Sequence, residues 1–259
     1  MLKAGLVQLD VKFADVELNL AAAIDGIDRL AGLGVEIILL PELWSSGFDN
    51  QKMITHAKQT PKIIENLREK AEAHNIIIAG SLPELSGGKI YNTLYLINKK
   101  GDIAAAYRKI HLFTLTGENK YFAAGNKVVV AKTSIGPVGL MTCYDLRFPE
   151  LCRSLALQGA LIVLVSAEWP LARIDHWNIL LKARAVENQI FIMAANMCGQ
   201  DPDLVYGGCS QIVSPQGKIL AKAENKEGLL SAEMEMNELT EFRKRIPCLK
   251  ERVPYAYFK

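Results

Sequence analysis

Three polar residues stand where apolar runs of the sequence end, and their types could together perform nucleophilic hydrolysis. Glu42 follows the run Val35–Leu40, Lys109 closes the segment AAAYRK, and Cys143 follows Val138–Thr142. Catalytic groups of α/β proteins commonly sit at strand ends, where loops present them on a rigid scaffold. A thiol, a carboxylate and an ammonium group in such positions suggest a nucleophile, a proton acceptor and an oxyanion stabiliser.

Cys143 is the candidate nucleophile. It lies between the end of a predicted strand and a helix that opens at Pro149, and the field of a nearby helix N-terminus favours a thiolate. The backbone N–H of Tyr144 would then lie beside the sulfur and donate to a developing oxyanion. A buried core cysteine explains the same context equally well, since free cysteines are often buried.

Glu42 and Lys109 each have a functional and a structural explanation. A carboxylate directly after an apolar strand has little water nearby and suits proton transfer, and Lys109 could pair with it and stabilise an oxyanion. A capping carboxylate and a lysine that extends its ammonium to solvent are the structural alternatives. His111 shares a strand face with Lys109, so a Cys–His nucleophile pair also stays open.

The composition excludes several classes of protein. The chain has 259 residues, half of them hydrophobic, and a net charge of +2, which argues against disorder and against nucleic-acid or membrane-surface binding. The sequence has no run of about 18 apolar residues, the length that a membrane-spanning helix requires. Five cysteines without disulfide spacing indicate a reducing, cytoplasmic compartment. The sequence also lacks metal-ligand motifs and a phosphate-binding loop, so we expect no metal and no cofactor.

Short apolar runs alternate with amphipathic segments and predict a mixed α/β fold. Turns at Gly87-Gly88 and Lys100-Gly101 predict two hairpins in the middle of the chain, and such consecutive strands argue against a purely alternating layout. A second helix is expected to begin at the cap Thr60-Pro61. The closing strands are expected within Gly207–Ala223 and over Gly228–Met234.

Four segments together resemble the nitrilase superfamily of carbon–nitrogen hydrolases over nearly the whole chain. They are PEL followed by SGF around Glu42, YRKIHLF around Lys109, CYDLRFPEL from Cys143, and ARAVENQ over 183–189. The resemblance implies a four-layer α-β-β-α sandwich, with residues 1–259 as a single domain, and a reaction that needs no metal or organic cofactor.

The resemblance also implies roles for individual residues. Glu42 would be the general base, Lys109 the transition-state stabiliser and Cys143 the nucleophile, while Glu118 matches a second family glutamate that orients the lysine or substrate. His111 would then be structural. Relatives pair through helices and exchange C-terminal tails, so a homodimer or higher homo-oligomer is expected, with the tail 246–259 docked on its own or a partner subunit.

Within the superfamily, the segment SAEWPLAR followed by DHW most resembles omega-amidases. These cleave the terminal amide of small 2-oxo dicarboxylic acid monoamides such as 2-oxoglutaramate. Arg147 and Arg173 are candidate partners for a substrate carboxylate because arginine offers a bidentate fork. Arg173 is the preferred anchor, since a structural ion pair is the alternative role expected for Arg147. Trp169 and Trp177 could wall the pocket. Glu168 stands where many relatives have asparagine and is a further substrate-binding candidate.

Three alternatives accompany this interpretation. An N-carbamoyl amino acid amidohydrolase or a true nitrilase could use the same scaffold, and their products would distinguish them. A catalytically silent interaction protein that keeps the fold is the third, and the presence of Glu42, Lys109 and Cys143 argues against it.

Overall fold

The computed structural model describes residues 1–257; Phe258 and Lys259, the end of the expected docking tail, lie outside the described residues. Twelve strands form two six-stranded sheets. In chain order they are β1 Leu2–Gln8, β2 Ile37–Leu39, β3 Ile77–Ser86, β4 Lys89–Ile97, β5 Ile103–Arg108, β6 Val130–Thr133, β7 Gly136–Thr142, β8 Ile162–Ala167, β9 Phe191–Asn196, β10 Gln211–Val213, β11 Ile219–Lys222 and β12 Gly228–Met234.

Six α-helices accompany the sheets in the described part of the chain. They are α1 Val16–Gly32, α2 Met53–His74, α3 Pro149–Leu157, α4 Ile174–Asn188, α5 Met236–Arg245 and the short α6 Pro254–Tyr257. Among residues 1–257, none of the helices has the length and apolarity needed to cross a membrane.

The two sheets are built alike: each has three parallel strands in its interior, flanked by antiparallel strands. The first has the order β12-β1-β2-β3-β4-β5 and the second β11-β10-β9-β8-β7-β6. Strands β1, β2 and β3 are parallel, as are β7, β8 and β9. The hairpins β3-β4 and β4-β5 turn at the two predicted glycine-containing sites.

The core sits in the layers between these elements. In β1, Ala4 and Leu6 belong to the cluster between the two sheets, whereas Val7 belongs to the cluster formed with α1 and α2. Because both faces of the central strands are covered, their sequences are continuous apolar runs rather than alternating ones. Helices α3 and α4 cover the outer face of the second sheet. The predicted four-layer α-β-β-α sandwich is confirmed.

Two predicted elements differ from the structure. Helix α2 begins at Met53 and contains Pro61 in its interior, so the prediction that it starts at Thr60-Pro61 was wrong. The Thr60 hydroxyl donates to the Pro83 carbonyl at 2.6 Å instead of capping the helix. The stretch predicted to close the second sheet, 207–223, contains the two short strands β10 and β11, paired antiparallel across a turn at Gly217.

Four strands end directly at, or within three residues of, the residues expected to carry chemistry. Glu42 is the third residue after the end of β2, and Lys109 directly follows β5, both in the first sheet. Cys143 directly follows β7 in the second sheet, and Glu168 directly follows β8. The sandwich therefore presents the ends of both sheets to one place, which local sequence patterns alone do not reveal.

Gly125 allows the chain to pass close beside Lys109. Its N–H donates to the Lys109 carbonyl at 2.8 Å, and a Cβ at this position would lie 2.1 Å from the Arg108 carbonyl oxygen. Neighbouring backbone cannot yield as a flexible side chain does. The lack of a side chain at Gly125 is therefore a requirement of the Lys109 backbone geometry.

We predict that Gly125→Ala lowers the free energy of unfolding by roughly 1–3 kcal/mol or more, the usual cost of overpacking. Gly32→Ala is the matched control: its Cβ would meet nothing within 4 Å in helix α1, so the variant should be neutral or slightly stabilising. Urea denaturation measures both. Equal midpoints for the two variants would contradict this account of Gly125.

Candidate active site

A buried lysine bridges two buried carboxylates at the base of the site. The Lys109 ammonium lies 2.8 Å from Glu42 Oε1 and 2.9 Å from both carboxylate oxygens of Glu118. Each of the three side chains is at most 1% exposed. Charges so far from water persist only when paired and hydrogen-bonded, so this arrangement fixes all three groups relative to one another.

Three further donors complete the hydrogen bonding of the two carboxylates. The Asn92 amide, from strand β4, donates to Glu42 Oε1 at 2.7 Å. The Phe113 backbone N–H donates to Glu118 Oε2 at 2.6 Å. On the other side, Glu42 Oε2 accepts the Glu168 backbone N–H at 2.9 Å. Glu42 is therefore held from both sheets.

The electrostatics keep the ammonium charged and the thiol protonated. Burial alone would lower the pKa of Lys109, but Glu118 and Glu42 outweigh burial and raise that pKa well above its usual value. Burial and then the Glu42 charge raise the pKa of Cys143 well above its usual value, although Lys109 and the Glu168 N–H oppose them. Burial raises the pKa of Glu118 too, against the pull of Lys109.

The expectation that a helix would favour a Cys143 thiolate was therefore wrong. Residues 143–147 form a five-residue 3-10 helix, and α3 begins only at Pro149, so the thiol does not lie at the first residue of α3. The dominant neighbours are instead an apolar surround and a carboxylate. A protonated thiol beside Glu42 suits proton transfer at the moment of attack.

Backbone strain marks both the thiol and the carboxylate. Cys143 has φ of 44° and Leu43, the residue after Glu42, has φ of 39°. Such left-handed values are unfavourable for side chains other than glycine and persist where the surroundings impose them. The turn at Cys143 places the sulfur at the pocket, while Tyr144, in the first turn of the 3-10 helix, has an N–H without a carbonyl partner inside that helix.

Asp145 anchors this turn from below. Its Oδ2 accepts the Tyr107 hydroxyl at 2.6 Å and the Thr142 N–H at 3.0 Å. Its Oδ1 lies 2.8 Å from His111 Nδ1 and also accepts the His111 N–H at 3.0 Å. The His111 ring stacks on Phe148 with centroids 3.6 Å apart. His111 is thus committed to supporting the turn, and no hydrogen bond joins it to Cys143 among the described residues.

A cavity of about 290 Å³ opens above the cluster. Aromatic, acidic and basic side chains line it together with the residues of the cluster: Glu42, Phe48, Asn50, Lys109, Phe113, Thr116, Glu118, Cys143, Tyr144, Arg147, Glu168, Trp169, Pro170, Arg173, Asp201, Asp203, Leu204 and Tyr206. All of the residues predicted from the sequence as site or substrate-binding residues are in this set. Trp177, considered as a second pocket wall, is fully buried in the core instead.

Two arginines at the cavity lack a carboxylate partner within residues 1–257. Arg147 lies over the Trp169 ring at 4.7 Å and donates to His176 Nδ1 at 3.3 Å. Arg173 lies over the Phe113 ring at 5.5 Å. Burial and then the charge of Arg173 lower the pKa of Arg147, so the two cations repel each other at the cavity that both of them line. The expected structural ion pair of Arg147 is therefore not formed in the described part of the chain.

Glu168 and Trp169 form the wall that follows β8. The Trp169 indole N–H donates to the Arg173 carbonyl at 2.8 Å, and its backbone N–H donates to the Asn196 side chain at 2.6 Å. Glu168 is 4% exposed, and its Oε1 has no hydrogen-bond partner in residues 1–257. The Trp169 contacts set the position of the loop that carries Arg173.

Several residues of the site were not identified from the sequence. Asn92 and Asp145 hold the cluster and the thiol turn, and Tyr206 and Asp201 line the cavity. Asn92 had one usable signal, a polar amide inside the apolar strand IYNTLYLI, since buried polar groups in strands need dedicated partners. The segment ARAVENQ has a visible role too: Arg184 donates twice to the Leu146 carbonyl, at 3.0 and 2.9 Å.

Within residues 1–257, no group of three or more histidine, cysteine, aspartate or glutamate side chains is arranged to hold a metal ion. That the protein needs no metal or cofactor stays a prediction.

Comparison with known proteins agrees with this geometry. The pattern of the carbon-nitrogen hydrolase family matches residues 3–244. The chain belongs to the carbon-nitrogen hydrolase family. It is a hydrolase that acts on carbon–nitrogen bonds other than peptide bonds, which confirms the class of enzyme predicted from the motifs.

Individual relatives of this carbon-nitrogen hydrolase are similar over most of their length. A 2-oxoglutaramate amidase of Bacillus subtilis (strain 168) is 36% identical over 243 residues, 93% of each chain. The omega-amidase of Homo sapiens is 31% identical, covering 96% of this chain and 94% of its own. A solved amidase from Nesterenkonia sp. AN1, with acrylamide added at its active-site cysteine, is 30% identical with a TM-score of 0.86. The match covers 95% of this chain and 98% of that chain.

We predict that His111→Asn lowers kcat by no more than about tenfold, because His111 supports the turn through Asp145 and does not contact the thiol. Its main effect should be on stability, through the lost contact with Asp145 and the lost stacking on Phe148. Steady-state kinetics and thermal unfolding of the same preparation measure the two effects. An inactive but fully stable His111→Asn enzyme would favour the Cys–His pair.

Proposed function

We propose that this protein is a thiol amidase that hydrolyses the terminal amide of a small carboxylate-bearing monoamide, such as 2-oxoglutaramate, to the acid and ammonia. The observation that carries the proposal is a cysteine beside a buried Glu42–Lys109–Glu118 cluster, in a cavity with two arginines that have no acidic partner in residues 1–257. Relatives named 2-oxoglutaramate amidase and omega-amidase support this substrate class.

The first half of the reaction forms a thioester. Glu42 takes the proton of the Cys143 thiol as the sulfur attacks the amide carbonyl carbon. Negative charge develops on the carbonyl oxygen, where the Lys109 ammonium and the Tyr144 N–H stabilise it. Glu42 then returns the proton to the amide nitrogen, the carbon–nitrogen bond breaks, and ammonia leaves.

The second half of the reaction releases the acid. Glu42 takes a proton from water, whose oxygen attacks the thioester carbonyl, and the same two donors stabilise the oxyanion. The carbon–sulfur bond breaks and the sulfur recovers a proton. Glu118 is a positioning residue in this scheme, because its two oxygens hold the Lys109 ammonium in place. Amide and water are thereby converted to acid and ammonia.

The two arginines provide the counterpart of a substrate carboxylate. Arg147 and Arg173 lie near each other at the cavity, and neither is neutralised by an acidic side chain in residues 1–257. Two adjacent like charges repel each other, so an anion between them relieves the repulsion and gains charge-assisted hydrogen bonds. Aromatic rings beneath both guanidinium groups restrict their movement. We assign both arginines, rather than Arg173 alone, to the carboxylate end of the substrate.

The proposal extends to the setting of the enzyme. We propose a cytoplasmic protein, since all five cysteines are free in the described part of the chain.

We also propose that residues 1–259 form one domain and assemble as a homodimer or larger homo-oligomer. Large apolar side chains exposed on α3 and α4, Leu157, Ile179 and Val186, support a partner there. Light scattering that detects only monomer at micromolar concentration would refute the assembly.

The exposure of the C-terminal tail favours packing on a partner subunit over packing on its own subunit. Its first residue is tied to the same chain, because the Ile246 carbonyl accepts the Gln189 side chain at 2.7 Å. Further along, however, Tyr255 is 85% exposed. An aromatic side chain so exposed near a chain end suggests that the end packs on a neighbouring copy.

We predict that incubation with 2-oxoglutaramate followed by rapid acid quenching adds an acyl mass to Cys143, detected by peptide mass spectrometry. Cys143→Ala should release no ammonia above background while keeping its fold by circular dichroism. Cys152→Ala is a control for a buried thiol outside the cavity. An adduct on another cysteine, or ammonia release by Cys143→Ala, would contradict the mechanism.

We predict that Arg147→Ala and Arg173→Ala each raise KM for 2-oxoglutaramate by roughly ten- to hundredfold, the value of a lost hydrogen bond to a charged group. kcat/KM for butyramide, which has no carboxylate, should change little. Arg245→Ala is the matched control, since Arg245 also lies over an aromatic ring, Phe242, but outside the cavity. Parallel losses for both substrates would rule out a carboxylate site at these arginines.

A further inference from the structure

Glu168 lies at the cavity with its carboxyl group buried. The proposed site uses only its backbone N–H. Its N–H donates to Glu42 Oε2, but its side chain takes no part in the Lys109 cluster. Side-chain Oε1 has no hydrogen-bond partner in residues 1–257, although the residue is only 4% exposed. A buried polar atom without a partner is costly, so its presence at the wall of a substrate cavity suggests that a ligand supplies the partner.

The surroundings of Glu168 are acidic rather than basic. Its Oε2 lies 3.5 Å from the Tyr206 hydroxyl, whose single proton goes to the closer acceptor, Asp201 Oδ2, at 2.5 Å. Asp201 is itself fixed by the N–H groups of Asp203 and Leu204, each 2.7 Å from Oδ1. No lysine or arginine forms an ion pair with Glu168 in the described residues, and Lys109 is already shared between two carboxylates.

This environment favours the neutral form of the Glu168 carboxyl group. Burial, and then the charges of Glu42 and Asp201, raise the pKa of Glu168 well above its usual value, and Lys109 opposes them only in part. A neutral carboxyl group carries an O–H, and a buried O–H requires an acceptor. The Tyr206 hydroxyl oxygen lies 3.5 Å away, at the limit of a hydrogen bond, so an acceptor on a bound substrate would serve this O–H better.

We propose that Glu168 is a specificity-determining residue whose neutral carboxyl donates a hydrogen bond to the 2-oxo oxygen of the substrate, and thereby selects 2-oxo acid amides over 2-amino acid amides. The proposal rests on the proposed amidase function and deepens it. Cys143, both arginines and Glu168 line the same cavity, so in this proposal the carbon chain between the amide at Cys143 and the carboxylate at the arginines passes Glu168.

The alternative substituent at the same carbon is disfavoured. The ammonium of a 2-amino acid amide such as glutamine would need an ionised Glu168, and ionising a carboxyl group below its pKa costs free energy. The ammonium would also lie in the field of Arg147 and Arg173, which repels a third positive charge. A 2-oxo group requires neither change, since it accepts a hydrogen bond without carrying charge.

The experiment compares kcat/KM for three amides of the same length: 2-oxoglutaramate, glutaramate, which has a methylene at the same carbon, and glutamine. The wild-type enzyme should prefer 2-oxoglutaramate over glutaramate and disfavour glutamine most. Glu168→Ala should reduce the advantage of 2-oxoglutaramate over glutaramate by about ten- to hundredfold, the effect of one lost buried hydrogen bond. Glu168→Gln, neutral and still a donor, should largely keep that advantage.

Glu72→Gln is the matched control, because it makes the same change from glutamate to glutamine at an exposed position of helix α2 outside the cavity and should leave the substrate ratios unchanged. Equal loss of the 2-oxo preference in Glu168→Gln and Glu168→Ala would overturn the proposal, since an ionised carboxylate would then be required. So would a parallel fall on all three substrates, or a wild-type preference for glutamine. Failure of the amidase function itself is distinguishable, because the wild-type enzyme would then hydrolyse none of the three.

Discussion

The structure of the site depends on one interaction, the buried ammonium of Lys109 between Glu42 and Glu118. Three charges out of contact with water are tolerated only while each is paired. Removing any one of them would therefore leave the others buried without a partner. Burial, and then the charge of Glu42, raise the pKa of the neighbouring Cys143, which favours a protonated thiol in the resting enzyme. A neutral nucleophile next to an available base needs no preformed thiolate, because proton transfer accompanies attack.

The sandwich serves this interaction by bringing the ends of two sheets together. Glu42 and Lys109 come from the first sheet, and Cys143 and Glu168 come from the second. Hydrogen bonds cross between the sheets, from the Glu168 N–H to Glu42 and from the Ser166 hydroxyl to the Leu40 carbonyl at 2.8 Å. The spacing between nucleophile and base is therefore set by how the sheets pack, and core residues far from the cavity contribute to it.

The sequence predicts those parts of the site that follow from strand ends and motifs. Polar residues after apolar runs led to Glu42, Lys109 and Cys143, because strands fix where such residues emerge. Asn92 could not be found in this way, since its contact with Glu42 depends on β4 pairing with β3, which in turn pairs with β2. The error about the Cys143 thiolate has a similar origin, because the opposing charge comes from the other sheet. Whether Arg147 has an acidic partner is likewise decided only by tertiary packing.

The transfer of the thiol proton to Glu42 is the central claim, and single-turnover release of ammonia measures it most directly. Glu42→Gln keeps the shape of the side chain and removes the base, so the rate should fall by about 10²–10⁴-fold at neutral pH. Glu84→Gln serves as control, because Glu84 also accepts hydrogen bonds from a cation, Arg108, but lies outside the cavity; its rate should stay close to that of the wild type. Ammonia release by a folded Glu42→Gln enzyme at the wild-type rate would contradict the account.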